Sequence, residues 1–166
     1  MDILTYPNPL LRKPAEAVED LGALTAEAEE MLRVMYANKG VGLAATQVGI
    51  GKRFFVINVE GQPEGEQVLV NPRLIEGRGE TSAVEGCLSL PGIEANVPRY
   101  EWVKIRATTL DGEDVELEGG ELFARAVQHE LDHLNGKLII DKVAPAARVA
   151  LKPRLKEMEK RYQAGK

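Results

Sequence analysis

The side chains of this chain that are best suited to bind a metal ion are few. Its 166 residues contain one cysteine, Cys87, and two histidines, His129 and His133. The histidines stand four residues apart in the segment HELDH, and residues with that spacing share one face of an α-helix. Two imidazoles one turn apart can bind the same divalent ion, with the intervening glutamate, here Glu130, as a general base. The alternative is an accidental match whose histidines are hydrogen-bonded core residues.

A tetrahedral ion needs a further ligand beyond the two histidines. Downstream of His133 there is no histidine, and the acids there are few: Asp141, Glu157 and Glu159. Upstream lies Cys87, framed by Gly86 and Pro91 in a segment that we expect to be tight and irregular. Taken alone, Cys87 is either a third ligand or a buried, inert thiol.

A third unusual segment is GVGLAATQVGI, residues 40–50. Its glycines permit close backbone approach or a positive φ angle. The motif GxxxxGK[ST] is absent, so the segment is not a phosphate-binding loop. It is either part of a binding site or a glycine-rich loop that leads into a strand.

Composition mainly excludes other classes of protein. The length is that of one domain, residues 1–166, and a net charge of −5 makes a general nucleic-acid binder a poor fit. A single cysteine cannot form an internal disulfide, which fits a reducing compartment. There is no apolar run of membrane-spanning length and no targeting signal at the start, so we expect a cytoplasmic protein that does not enter a membrane.

The elements that must position these side chains form an α+β pattern, with mostly antiparallel sheet. Apolar periodicity predicts a first helix at 26–39, with Met31, Leu32, Met35 and Tyr36 on its buried face. Alternating or β-rich runs predict strands at Arg53–Val59, Val68–Leu74, Tyr100–Leu110 and Asp114–Glu118, and Asp111-Gly112 predicts a hairpin turn. A second, central helix, Glu121–Leu134, carries HELDH and directs Glu130 into its apolar half. A short strand, Lys137–Asp141, and a third helix from about Pro145 follow, with a kink or restart at Pro153.

Three ordered motifs in this chain resemble those of the peptide deformylase family. They are GVGLAATQ (40–47), EGCLS (85–89) and QHELDHLNG (128–136). Thr46 occupies a place that proline often fills, and no motif position departs from the pattern. Because the spacing and total length also agree, the resemblance covers essentially the whole chain.

The resemblance implies an activity and a metal centre. Cys87, His129 and His133 would bind one divalent ion, with water in the fourth position. The implied reaction removes the formyl group from the N-formylmethionine of newly synthesised polypeptides and releases formate. Water activated by the metal would attack the formyl carbon, with Glu130 as general base and then acid. The family points to Fe²⁺ as the physiological ion, with Zn²⁺, Ni²⁺ or Co²⁺ able to take its place.

The resemblance also assigns residues to the substrate. The side-chain amide of Gln47 and the backbone N–H of Leu88 would stabilise charge on the carbonyl oxygen. The remaining assignments are substrate contacts: Val41, Gly42 and Gly86 along the extended peptide, and Val41, Leu88, Leu122 and Ala126 around the methionine side chain. Glu85, Arg99 and Asp132 would be a charged group that orients the site, or ordinary solvated charges.

Two further alternatives stay open at this point. A metallopeptidase would use the same metal, water and Glu130 on internal amides, and a site too narrow for larger acyl groups would favour deformylation instead. A structural zinc site needs four protein ligands, and only three are evident.

The tail 148–166 has seven cationic side chains against two glutamates, so this helical tail would either contact ribosomal RNA or be a solvated surface.

Overall fold

The computed structural model describes residues 1–165 and confirms the α+β class. Over these residues the chain forms three α-helices: α1 (Thr25–Ala37), α2 (Glu121–Leu134) and α3 (Pro145–Ala164). The strands are β1 (Gly42–Ala44), β2 (Phe54–Ile57), β3 (Gln67–Arg78), β4 (Thr81–Cys87), β5 (Leu90–Arg99), β6 (Trp102–Thr108) and β7 (Asp114–Gly120). Short 3₁₀ helices lie at Pro9–Arg12, Leu21–Leu24, Ala45–Val48, Pro63–Gly65 and Ile139–Asp141.

The strands form two antiparallel sheets, as the sequence predicts. One sheet has the order β1-β2-β3-β6-β7, and the other is the hairpin β4-β5. Helix α2 packs on the first sheet, where Val127 and Leu131 share a buried cluster with Phe55 and Ile105. This packing fixes the rotation of α2 about its axis, and with it the direction of every side chain on the helix.

Helix α1 has the predicted core residues with one exception. Met31, Leu32 and Met35 are buried, but Tyr36 is exposed, so its assignment to the buried face is wrong. The Tyr36 hydroxyl donates a hydrogen bond to Glu66 at 2.6 Å and accepts one from Asn58 at 3.1 Å. A phenol needs such polar partners, which the apolar core does not offer.

The segment Lys137–Asp141, predicted as a strand, contains a 3₁₀ helix instead. The backbone N–H of Asp141 donates to the Leu138 carbonyl at 2.9 Å, and the Asp141 carboxylate accepts from the Leu138 N–H at 2.8 Å. Leu138 and Ile140 are both buried in a cluster with strand β5. A tight turn puts these apolar side chains into the core without a neighbouring strand.

The segment around Gly86 and Pro91, predicted as tight and irregular, is the turn end of a hairpin of β4 and β5, and the register of this hairpin shifts between Gly86 and Cys87. Strand β4 ends at Cys87, the turn is Leu88-Ser89, and β5 begins at Leu90. Prolines and a glycine in β5 conceal the strand in the sequence because these residues lower β-propensity. Pro91, Gly92 and Pro98 all lie at exposed positions, on either side of the buried Ile93 and Val97.

Helix α3 runs through Pro153 without a restart, which corrects that part of the prediction. Proline removes the hydrogen bond to the carbonyl one turn earlier, which belongs to Val149. Val149 is exposed, so water can satisfy that carbonyl. The predicted tail 148–166 belongs to this helix, except for its last residues, and Lys166 lies outside the described residues. Among residues 1–165, no helix has the length and apolar character needed to cross a membrane.

Candidate metal centre and active site

Three side chains that can ligate a metal converge between helix α2 and the end of strand β4. The Nε2 atoms of His129 and His133 are 3.2 Å apart, and the Cys87 Sγ atom is 3.3 Å from the His133 Nε2. Their ligand atoms all lie within 4.8 Å of one another. Helical spacing aligns the two imidazoles, and the hairpin brings the thiol to them from a separate sheet.

The donor set of this cluster fits a divalent cation. Burial lowers the pKa of His129, but contact with Cys87 and the negative charges of Glu130 and Glu85 raise it well above its ordinary value. Burial and the charge of His129 hold the pKa of His133 well below its ordinary value. Nitrogen and sulfur donors so close together repel unless a proton or a cation lies between them, and imidazole with thiolate is a ligand set that Fe²⁺ and Zn²⁺ accept.

A buried ion-pair group holds the His129 ring in place. The Nδ1 atom of His129 lies 3.0 Å from the Glu85 Oε1, and the Arg99 guanidinium binds both Glu85 oxygens at 2.8 Å. Arg99 also donates to Asp132 at 2.6 Å. Burial raises the pKa of Glu85, but Arg99 and His129 overcome this and lower it to about 2. Glu85 is therefore ionised and can accept the Nδ1 proton, so Nε2 is the ring nitrogen that faces the other two donors.

Glu130 is a buried carboxylate beside the ligands. Its Oε1 atom has no hydrogen-bond partner within residues 1–165, although the side chain borders the cleft. Burial raises its pKa to about 7, against the opposing effect of the positive charge on His129. A carboxyl group with that pKa can both accept and donate a proton near neutral pH.

Gln47 and Leu88 lie next to the cysteine. The Gln47 amide nitrogen donates to the Ser89 hydroxyl at 3.1 Å and lies 3.8 Å from Cys87 Sγ, and its oxygen accepts from the Ala44 N–H at 3.0 Å. The amide is therefore fixed at both ends. Leu88 is in the hairpin turn, and its backbone N–H forms no hydrogen bond within residues 1–165.

A cleft of about 1110 Å³ opens onto this centre. All the residues predicted to contact substrate line it: Val41, Gly42, Gly86, Leu88, Leu122 and Ala126. Strand β1 is the edge of the five-stranded sheet, and β4 has one unpaired edge, so two strand edges border the same cleft. Unpaired strand edges can bind an extended peptide through backbone hydrogen bonds.

Sequence reasoning missed two residues of this site. Ser89 is completely buried and holds Gln47, and its place inside EGCLS was the available signal. Arg125 borders the cleft one turn before His129, on the same helix. The i, i+4 spacing of Arg125 and His129 was its signal, although helical spacing alone does not show which surface faces a cleft.

Two imidazoles, a thiol and a buried carboxylate at one cleft of an α+β fold define the class of HExxH hydrolases. The family model described as Polypeptide deformylase matches residues 1–149. The chain belongs to this family, whose members are metal-dependent hydrolases.

Relatives and solved structures agree with this membership. A peptide deformylase of Tolumonas auensis is 43% identical over 159 residues, which are 95% of each chain. The structure of a peptide deformylase from Legionella pneumophila is 40% identical, with a TM-score of 0.89 over 99% of this chain and 98% of that one. Peptide deformylase 1B of Arabidopsis thaliana is 38% identical, with a TM-score of 0.96 over 99% of this chain and 93% of that one.

Proposed function

We propose that this hydrolase removes the formyl group from the N-terminal N-formylmethionine of newly synthesised polypeptides. One water is consumed, the formyl C–N bond breaks, and formate and a free amino terminus are released. The observation that carries the proposal is the convergence of Cys87, His129 and His133 beside the buried Glu130, at a cleft bordered by two strand edges.

Cys87, His129 and His133 would hold one divalent ion. Such an ion polarises a carbonyl and lowers the pKa of a coordinated water from 15.7 to about 7. Fe²⁺ is the ion that we propose, on the resemblance to the family, and Zn²⁺, Ni²⁺ or Co²⁺ suit the same donors. The hydrogen bond between His129 and Glu85 supports this assignment, because it orients the ring so that Nε2 faces the other two donors.

Glu130 would move the proton that the reaction needs. Its carboxylate accepts a proton from the attacking water and passes it to the amine nitrogen as the C–N bond breaks. Two features of the chain support this role: the pKa of about 7 and the unpartnered Oε1. General acid–base help of this kind contributes about 10²–10⁴-fold to a rate.

Gln47 and Leu88 would donate hydrogen bonds to the carbonyl oxygen of the formyl group. The Gln47 amide is held by Ser89 and Ala44, so it loses little conformational freedom when a substrate binds. The Leu88 N–H has a free hydrogen to offer. Loss of one such donor costs about 10²–10³-fold in rate.

The substrate would bind as an added strand between β1 and β4, along Val41, Gly42 and Gly86. The Val41 carbonyl already accepts a hydrogen bond from the Asn58 N–H at 2.8 Å, so its N–H is the group left for the peptide. The methionine side chain would pack against Val41, Leu88, Leu122 and Ala126. Flexible thioethers suit such shallow apolar surfaces.

We further propose that residues 1–166 act as one catalytic domain in the cytoplasm. Nascent chains would be the partner of the cleft, and the basic tail 148–166 would contact the ribosome. Seven cationic side chains against two glutamates support that contact. The acidic body of the molecule disfavours binding to free nucleic acid on charge grounds.

The experiment is formate release from a formyl-Met peptide by protein loaded anaerobically with Fe²⁺. We expect release with the wild type and none above background with Glu130→Ala. An acetyl-Met peptide and an unblocked peptide with internal amides separate deformylation from general peptidase activity. Absence of formate, or full activity of Glu130→Ala, would contradict the proposal.

A further inference from the structure

We propose that Arg125 makes the cleft selective for formylated peptides with an acidic side chain within the two residues that follow the methionine. The inference rests on the proposed deformylase function and concerns its substrate. Its basis is one half-buried arginine whose guanidinium has no partner within residues 1–165, set in a cationic rim on an acidic protein.

Arg125 stands where a bound peptide must pass. It lies on α2, four residues before His129, and the two side chains therefore share one face of the helix. Its neighbours on that helix, Leu122 and Ala126, line the same cleft. An extended peptide advances by roughly 3.3–3.6 Å per residue, so the one or two residues after methionine still lie within reach of a long side chain next to the metal ligands.

The guanidinium of Arg125 has no protein partner. Within residues 1–165 it forms neither an ion pair nor a hydrogen bond, and it is half-buried. Arg99 is the contrast in the same neighbourhood, because Glu85 and Asp132 satisfy its guanidinium. A substrate carboxylate would give Arg125 the bidentate partner that its planar group favours.

The charges around the cleft oppose the charge of the whole molecule. The chain carries a net charge of −5, yet the cations Lys39, Arg125 and Arg154 all border the cleft. Lys39 forms no ion pair within residues 1–165, and Arg154 shares its charge with Glu157 at 3.6 Å. Of the acids that line the cleft, Glu85 is neutralised by Arg99 and Glu130 is buried. Only Glu94 remains as an exposed acid on this lining, so the rim attracts anions.

The test compares peptides that differ by one charge. Formyl-Met-Glu-Ala and formyl-Met-Gln-Ala, together with formyl-Met-Ala-Glu and formyl-Met-Ala-Gln, are used as C-terminal amides so that no other carboxylate is present. The measured quantity is the ratio of kcat/KM between the Glu and Gln members of each pair. This ratio is independent of the fraction of enzyme that is folded and loaded with metal.

We expect the wild type to prefer Glu in at least one pair by about three- to tenfold at about 0.1 M salt. The preference should shrink at about 1 M salt, where the Debye length falls to roughly 3 Å. Arg125→Met keeps the apolar stem and should bring the ratio to about one or below. Arg125→Lys keeps the positive charge but loses the planar group that can bind a carboxylate with two hydrogen bonds, so it should keep part of the preference.

Arg73→Met is the matched control. Arg73 is exposed on β3, forms no ion pair within residues 1–165 and does not line this cleft, so its loss changes the net charge equally. We expect this variant to keep the full preference. Dissociation constants of the deformylated products, Met-Glu-Ala and Met-Gln-Ala amides, provide a readout that needs no turnover and should show the same order.

Two results would overturn the inference while leaving the deformylase function standing. One is formate release with equal kcat/KM for the Glu and Gln members of both pairs. The other is a Glu preference that Arg125→Met leaves unchanged. Absence of formate from all four peptides would instead contradict the proposed function itself.

Discussion

The Glu130 carboxylate occupies the space that a side chain at residue 42 would need. A Cβ atom on Gly42 would lie 2.6 Å from the Glu130 Oε2 and 3.1 Å from its Cδ. Gly42 of the GVGLAATQ motif therefore leaves the space that the Glu130 side chain of the HELDH motif occupies. The two motifs meet at this contact, although 88 positions separate the two residues.

Gly42→Ala should displace the Glu130 carboxylate and lower kcat. A misplacement of about 1 Å at a reacting group can cost about 10²-fold in rate, and we expect a loss of that order. The measurement is kcat on a formyl-Met peptide at equal metal content. Gly51→Ala is the control, because a Cβ there meets no atom within 4 Å and the residue lacks a positive φ. Wild-type kcat in Gly42→Ala would show that this contact does not position Glu130.

Arg99 should matter more for stability than any surface arginine. Arg99→Met leaves the carboxylates of Glu85 and Asp132 without their main partner in a largely buried place. Breaking such a pair costs about 3–5 kcal/mol of unfolding free energy, measured by urea denaturation. We also expect a metal affinity lower by about 10–100-fold, because the orientation of His129 depends on Glu85.

The control for Arg99→Met is Arg106→Met on strand β6. Arg106 pairs with Glu116 at 2.5 Å, and both side chains are about half exposed, so removal of this pair should cost under about 1 kcal/mol. Equal losses in the two variants would contradict a special role for the buried group. A lower stability with unchanged metal affinity would separate the structural effect of Arg99 from its effect on His129.

The sequence is sufficient to predict the parts of the site whose positions depend on local periodicity. Helix α2 has the predicted bounds, and His129, Glu130 and His133 share the expected face because 3.6 residues complete each turn. Long-range placement is different in kind. No local pattern shows that Cys87 lies 3.3 Å from His133. Only the resemblance of three ordered motifs to a known family predicted that these two side chains lie together.

The wrong predictions have physical causes in tertiary packing. The Lys137–Asp141 segment has the composition of a strand, yet the Asp141 carboxylate caps a tight turn there. The sequence does not predict the β4-β5 hairpin, because prolines and a glycine occupy several exposed positions of β5. A side-chain cap three residues away overrides the strand preference in the first case, and the pairing of two strands overrides the preference of proline and glycine in the second.

Cys87→Ser should lose most of its bound metal. A serine hydroxyl is a poor ligand at neutral pH, whereas a thiolate is a strong one, so two imidazoles alone remain to hold the ion. The measurement is metal content after dialysis against a weak chelator, which does not depend on activity. Because Cys87 is only partly buried, its replacement should alter the unfolding free energy of the metal-free chain little. A variant that keeps both metal and activity would contradict the assignment of Cys87 as a ligand.

Asp141 should make stability depend on acid pH. Burial raises the pKa of this carboxyl, but the Leu138 N–H and the charge of Arg12 together lower it below its ordinary value of 3.8. A depressed pKa stabilises the fold at every pH above the unfolded value and loses this contribution as the pH falls through the folded value. We expect Asp141→Asn to be less stable than wild type by about 1 kcal/mol at pH 7, after allowance for solvent screening. The difference should shrink as the pH falls below 3.8 and through the folded pKa, in denaturation curves recorded across the acid range.

The exposed lysines in the α3 tail should carry its proposed contact with the ribosome, and they can be tested without disturbing the core. Deletion of 148–166 would remove Leu155 and Met158, which are buried against β5, so a truncated chain would lose stability for an unrelated reason. Reversal of the exposed Lys156 and Lys160 to glutamate keeps the core intact. If the tail binds ribosomal RNA, this double variant should lose co-sedimentation with ribosomes at low salt, because each lost phosphate contact weakens binding steeply. Reversal of the exposed Lys13 and Lys137 to glutamate changes the net charge equally, and this control variant should keep its co-sedimentation with ribosomes. Unchanged co-sedimentation of the Lys156 and Lys160 variant would leave the tail as a solvated helical surface.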